Sequence, residues 1–355
     1  MSANATFDDL RAGTCSSCQV KQDNSGYWVP QMYFKHSSTG EFEIVPRIND
    51  MLIYYLQRGE NVTAFPKGFQ MVAGDSHRRN FTCRNIPTSQ WGPQDMTQDA
   101  LAQKAIGFNC LNYDLPAEAS LSRHTFPDDL SRCKNGLRVE FFFPSCWDGR
   151  LDSPNHMDHV QYPDLVQDGT CPSTHPYRLV SLFFEIIWDV NIFSQHDGEY
   201  VFSNGDPTGY GFHADFMNGW EEGVLQNAID NCQDESGIIE DCKVFQLYSQ
   251  TEMNQCKINH IDVEGDVSGP MGSLPGCNEV QYGPEPATCP TKSGIQESVK
   301  PSSTPAPSTP APPVNVVTQT HTHYTTVDVY ATPEPAPCPR KQKRHHHHFG
   351  HRHKF

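Results

Sequence analysis

Twelve cysteines within the first 289 residues constrain this chain more than any other feature. They stand at Cys15, Cys18, Cys83, Cys110, Cys133, Cys146, Cys171, Cys232, Cys242, Cys256, Cys277 and Cys289. Structural zinc sites use paired CxxC knuckles, and Cys15-Ser-Ser-Cys18 is the single instance here. An even dozen without such pairs reads as up to six disulfides formed in an oxidising compartment. Spacing does not fix the pairing. Three N-x-[ST] sequons, at Asn4, Asn61 and Asn80, agree with a secreted glycoprotein, extracellular or in a cell wall. The opening MSANATFDDL has no basic n-region and no apolar h-region. The expectation is therefore a truncated start whose signal sequence is missing. No run of about eighteen apolar residues occurs, so no membrane span is expected.

Charge divides the chain in two. Residues 1–289 carry 18 Lys+Arg against 39 Asp+Glu, a net of −21, whereas 290–355 carries 8 against 3. An acidic body argues against nucleic acid as a partner, because phosphate binding needs a basic surface. The division is also compositional: a cysteine-rich globular domain over 1–289, then a disordered segment over 290–355. That segment opens with the Ser/Thr/Pro-rich linker KSGIQESVKPSSTPAPSTPAPPV, which cannot bury a core. It closes on a basic tail holding eight of the 17 histidines and the odd Cys338. Its HTH and HHHHFGHRH tracts suit capture of metal ions, and Lys343-Arg344 is a candidate processing site.

Strand signals dominate the body. Leu137–Phe143 alternates apolar and polar residues at its start, as a half-buried strand does. Arg178–Val190 is apolar on both parities, the mark of a strand covered on both faces. Glu43–Gln57 reads as one strand, or as two broken at Asn49-Asp50. The spacing predicts helices over Met96–Phe108, capped by Asp95, and over Trp220–Cys232. The expected fold is mainly β, a sandwich-like domain with a few peripheral helices, long disulfide-stapled loops and a disordered C-terminal tail. The stretch from Pro144 to Tyr177 is too long for an ordinary connection, and loops of that length are usually functional or disordered. Cys146 and Cys171 near its ends can hold it in place.

The candidate chemistry lies between Pro144 and Trp220. His213-Ala-Asp215 has strand spacing, which puts both side chains on one face, after the turn-rich Gly205–Gly211. A histidine beside a carboxylate is an oriented general base or a pair of metal ligands, and otherwise a structural hydrogen bond. His156 and His159 can face one ion from a helical turn, or belong to a solvated loop. His175 stands where the chain enters the Arg178–Val190 strand. His156, His159, His175, His213 and Asp215 together would satisfy one divalent transition metal: zinc, manganese, nickel or copper. Asp148, Asp152 and Asp206 offer a different chemistry, paired carboxylates working as acid and base on a glycosidic bond. Trp147, Tyr162, Trp188, Tyr210 and Trp220 are available as sugar platforms, or simply as core. No GxSxG elbow, phosphate loop or dinucleotide fingerprint is found, which sets aside lipase-like, nucleotide-hydrolysing and dehydrogenase readings.

Five blocks carry a resemblance: GYWVPQMYF (26–34), YYLQRGENVTAFPKGFQMVAGD (54–75), FPSCWDGRLDSPNHMDHVQYP (143–163), CPSTHPYRLV (171–180) and DPTGYGFHADFMNGW (206–220). Over roughly residues 3–242 the chain resembles the secreted fungal domain of unknown function numbered nineteen ninety-six. The resemblance implies a secreted fungal protein, since members are sometimes joined to wall-associated carbohydrate-binding modules. It also implies a signal peptide and a Ser-x-His-x-His string upstream of where this chain starts, and those histidines would belong to the same site.

The leading expectation is a secreted domain that binds or acts on cell-wall or plant polysaccharide through a His/Asp-lined pocket. Asp148, Asp206, His213 and Asp215 are its candidate catalytic groups, and a pocket metal is an option. The alternatives are a non-catalytic metal-binding cell-wall or effector protein working through the His-rich tail, and a purely structural wall protein.

Overall fold

A computed structural model describes residues 5–234, 236–256 and 269–288. Asn4, Cys289, the linker and the His-rich tail lie outside these residues, as does the side chain of Cys277.

Thirteen strands form among the described residues. In chain order they are β1 (Gly26–Trp28), β2 (Met32–His36), β3 (Phe42–Ile44), β4 (Leu52–Leu56), β5 (Gln70–Gly74), β6 (Ile106–Cys110) and β7 (Leu137–Phe142). There follow β8 (Cys146–Trp147), β9 (Val160–Gln161), β10 (Tyr177–Arg178), β11 (Ser181–Trp188), β12 (Gly198–Phe202) and β13 (His213–Met217). Four short helices complete the set: α1 (Phe7–Arg11), α2 (Gln98–Lys104), α3 (Val224–Asn231) and α4 (Gln250–Gln255). Every strand pairing within the sheets is antiparallel. The expected β-rich class therefore holds.

Two sheets enclose the main core. One is ordered β4-β11-β7-β6, the other β1-β13-β5. Phe184 of β11 meets Tyr27 of β1 edge-on at 5.7 Å, while Phe141 of β7 lies 5.8 Å from Phe212, just before β13. Burying aromatics of this size contributes most of the driving force. The opposite face of β11 is covered too: Phe183 stacks on Phe142 at 4.3 Å, and Leu101 and Ala105 pack there. The two-parity apolar run thus reads as it should, with the segment split into β10 and β11 by Leu179-Val180.

One local alternative is decided and two expectations change. The Asn49-Asp50 turn does separate two strands, β3 and β4. The helix expected over Met96–Phe108 shrinks to α2, capped by Thr97, whose hydroxyl accepts from the Ala100 amide at 3.3 Å. Asp95 is instead buried beside the Lys104 ammonium, 3.3 Å away, and Ile106–Cys110 continues as β6 because it finds β7 as a partner. The helix expected from Trp220 begins only at Val224, since Trp220 bridges to Asp23 and Gly223 sits at φ +81°.

Among the described residues four disulfides close the body: Cys15–Cys256, Cys110–Cys133, Cys146–Cys171 and Cys232–Cys242. Cys18 and Cys83 are free thiols, so six pairs are not reached. Cys18 is spent otherwise, its thiol donating to buried Asp23 at 3.4 Å. No helix among the described residues is long and apolar enough to cross a membrane.

Candidate functional site

The long segment after Pro144 is held, not loose. Its start, middle and end form the small sheet β10-β8-β9, and Cys146–Cys171 adds a covalent tie. Arg178 fills the space behind that bridge, its Nη1 3.5 Å from the Cys171 sulfur and its Nε donating to the Arg58 carbonyl. So anchored, the segment lays residues 152–159 along the outer edge of β5, where the Val72 amide donates to the His156 carbonyl at 2.8 Å.

β13 supplies the other half. Ala214 and Phe216 point into the core, so His213 and Asp215 share the outer face. In register they stand opposite Gly74 and Val72 of β5, and Asp215 also stands opposite Trp28 of β1. The indole of Trp28 packs against the His213 ring at 5.4 Å. Gly74 is required there: its φ is +87°, and a Cβ would come within 2.6 Å of the Phe212 carbonyl oxygen.

The electrostatics of this face are uneven. Nδ1 of His213 donates to the Gly211 carbonyl at 2.9 Å, which leaves Nε2 as an unprotonated acceptor. Burial holds the imidazole below the usual histidine range, against the pull of that carbonyl and of Asp75. Asp215 has no hydrogen bond or ion pair among the described residues. Burial pushes its carboxyl up to about 6, opposed only by His156. Asp152 behaves in the opposite sense. Burial would raise it, but hydrogen bonds from His156 Nδ1 at 2.7 Å, Gln70 and the Ser153 amide outweigh that and hold it low. His156 adopts φ +57°, a left-handed conformation that histidine tolerates better than most residues. One carboxyl kept partly protonated near one kept ionised is the pattern by which environment sorts acid from base.

The remaining candidates are committed elsewhere. His159 is fully buried; its Nε2 donates to the Gln70 carbonyl at 2.8 Å and its Nδ1 lies 3.1 Å from Ser153 Oγ. His175 donates from Nε2 to the Asp158 carbonyl at 3.1 Å, with Thr174 Oγ1 3.0 Å from its Nδ1. Among the described residues no three His, Cys, Asp or Glu side chains are gathered as ligands for one ion. Asp148 accepts from the amide and the guanidinium of Arg150 at 2.9 and 2.7 Å. Asp206 is fully buried, accepting from the Thr208 and Gly211 amides beneath Arg79. The structure thus brings His213, Asp215, His156 and Asp152 to one face, and leaves Asp148, Asp206, His159 and His175 supporting its framework.

Beside His213 opens a groove of 680 Å³. Its walls include Asp75, Arg78, Asp99, Met157, Asp158 and Tyr162. Trp28, Gln70 and the Gly74–Arg78 turn were not among the candidates read from sequence. Trp28 and Gln70 join the site only through the registers of β1 and β5 with β13, which no local pattern encodes. The Gly-Asp pair at 74–75 was a visible turn signal.

No curated protein and no solved structure matches the chain. A family model described as Domain of unknown function (DUF1996) matches residues 1–220, somewhat short of the 3–242 anticipated at the C-terminal side. The match covers β1 to β13, and with them the whole of the face just described. The chain belongs to that family of domains of unknown function.

Proposed function

We propose that this domain is extracellular and glycan-directed, with the outer face of β1-β13-β5 binding polysaccharide and carrying out acid–base chemistry on it. One observation carries the reading: His213 and Asp215 project from the same strand face, with His213 Nε2 and the Asp215 carboxylate unpartnered among the described residues. Polar groups half-buried on an outer strand face and left without partners are available for a ligand, and His213 also lines the groove. Asp215, partly protonated near pH 6, is suited to donate a proton to a glycosidic oxygen. The ionised Asp152, hydrogen-bonded to His156, is suited to take one from water, while His213 Nε2 accepts from a sugar hydroxyl. Trp28 offers a flat apolar surface next to these groups. The four disulfides support an extracellular setting, where such bridges persist.

The test is release of reducing ends from a panel of wall polysaccharides by the wild-type chain, Asp215→Asn and Asp152→Asn, each checked for folding by circular dichroism. Loss of a general acid or base lowers turnover by about 10²–10⁴-fold. That loss in both variants, with glycan binding retained, is the expected result. Turnover equal in all three proteins, or no turnover and no binding on any glycan, would overturn the reading.

A further inference from the structure

We propose that the groove beside His213 takes a carboxylate-free glycan segment and turns polyuronates away. The inference rests on the glycan reading above and names its substrate class. At 680 Å³ the groove falls within the range of small-ligand sites, about 300–1,000 Å³. Its lining sorts into an apolar strip and a polar rim. Val72 and Met157 form the accessible part of the strip, backed by the buried Val160 and Tyr162, and C–H faces of a sugar ring can pack on it. Gln161 supplies a neutral donor and acceptor for hydroxyls, while the Gln98 amide is bonded to both backbone groups of Tyr162.

The charged groups are where selection arises. Asp75, Asp99 and Asp158 line the groove beside one guanidinium, that of Arg78, and the imidazole of His77, 3.8 Å from Asp75. Arg78 is already committed to Asp99, 2.7 Å away, with its side chain 15% exposed. A carboxylate entering the groove would shed water and meet three carboxylates against one guanidinium, whose Nη2 already donates to Asp99. His213 does not change the balance at neutral pH, because burial keeps it unprotonated. A net charge of −21 over residues 1–289 adds repulsion at longer range.

Binding is measured by calorimetry on the full chain at pH 7.5, with a galacturonate oligomer and with glucan-, xylan- and mannan-derived oligomers of equal length. At least one neutral oligomer is expected to bind at least tenfold more tightly than the uronate. The double substitution Asp99→Asn/Asp158→Asn is expected to raise uronate affinity at least tenfold and to narrow the ratio of neutral to uronate affinity by the same factor. Should that double variant fold poorly, Asp158→Lys alone, at an exposed position, is expected to move uronate affinity the same way. Uronate binding as tight as that of the best neutral oligomer, or no neutral binding at all, would overturn the proposal. Asp215→Asn separates the two readings. Discrimination that persists there without turnover in the wild type leaves this inference standing and removes the acid–base one. Asp215-dependent turnover of uronates does the reverse.

Discussion

Arg79 and Asp206 form an ion pair with neither side chain exposed, and the loop they clamp is the one that leads into His213. Asp206 accepts from the Thr208 and Gly211 amides, and Arg79 donates to the carbonyls of Ser76, Arg78, Asn204 and Gln281. The turn containing Asp75–Arg78 and the turn before β13 are thereby welded together. Asp206→Ala strands a buried guanidinium, which costs about 3–5 kcal/mol. Urea denaturation should register that loss, while Asp148→Ala, on a partly solvated ion pair, should cost about 1 kcal/mol or less.

Asp215 ties stability to pH in an unusual direction for a carboxylate. Its folded-state pKa is raised to about 6, above the unfolded value, so its favourable contribution is complete below about pH 4 and is lost as pH rises through 6. Asp215→Asn removes the ionisation and should stabilise the fold above pH 6, by up to about 3 kcal/mol. The gain should vanish below about pH 4. Thermal melts from pH 4 to 8 check this, and a gain that is flat across the range would contradict it. If the same variant loses turnover, the site holds a group that costs stability in order to function.

Gly74→Ala probes the register at His213. Its φ of +87° and the 2.6 Å approach to the Phe212 carbonyl both oppose a side chain. A destabilisation of about 1–3 kcal/mol is expected in denaturant titrations. Gly40→Ala is the control, since its φ is also positive but nothing lies within 4 Å of the added Cβ. It should cost about 1 kcal/mol.

Removing the Cys146–Cys171 bridge should matter twice. Its 25-residue separation corresponds to about 3.5 kcal/mol in the chain-entropy account. The double substitution to Ser also loosens the segment that holds Asp152 and His156 against β5. Chemical denaturation reads the first effect, and glycan binding by the variant reads the second. Peptide mapping of the unreduced protein should recover this pair together with Cys110–Cys133.

What was legible in the sequence followed how local each signal is. The two-sided apolar run became β11, and His213-x-Asp215 kept the shared face that strand spacing demands. The pairing of Cys146 with Cys171 is one of the alternatives that sequence leaves open, since both flank one long segment but spacing does not fix partners. Where side-chain partners decide, sequence ran out. His156-x-x-His159 is not a helical pair: His156 turns outward at φ +57° while His159 is swallowed by the core against Phe69. Asp206 looked like a free loop carboxylate until the distant Arg79 was found against it. Helix α2 was overdrawn because Ile106-Gly-Phe continues a helical pattern, and only the presence of β7 makes it a strand.

The bridge between Cys15 and Cys256 has a mechanical meaning. Two points 241 residues apart in sequence are joined by one covalent bond, with Cα atoms 5.7 Å apart. Tension applied by pulling on the chain before residue 15 and after residue 256 passes through that bond and bypasses every strand between them. The strands from β1 to β13 are thereby closed into one covalent ring, and the chain beyond Cys256 returns over it, pairing Met271 with Phe42 and offering the Gln281 carbonyl to Arg79.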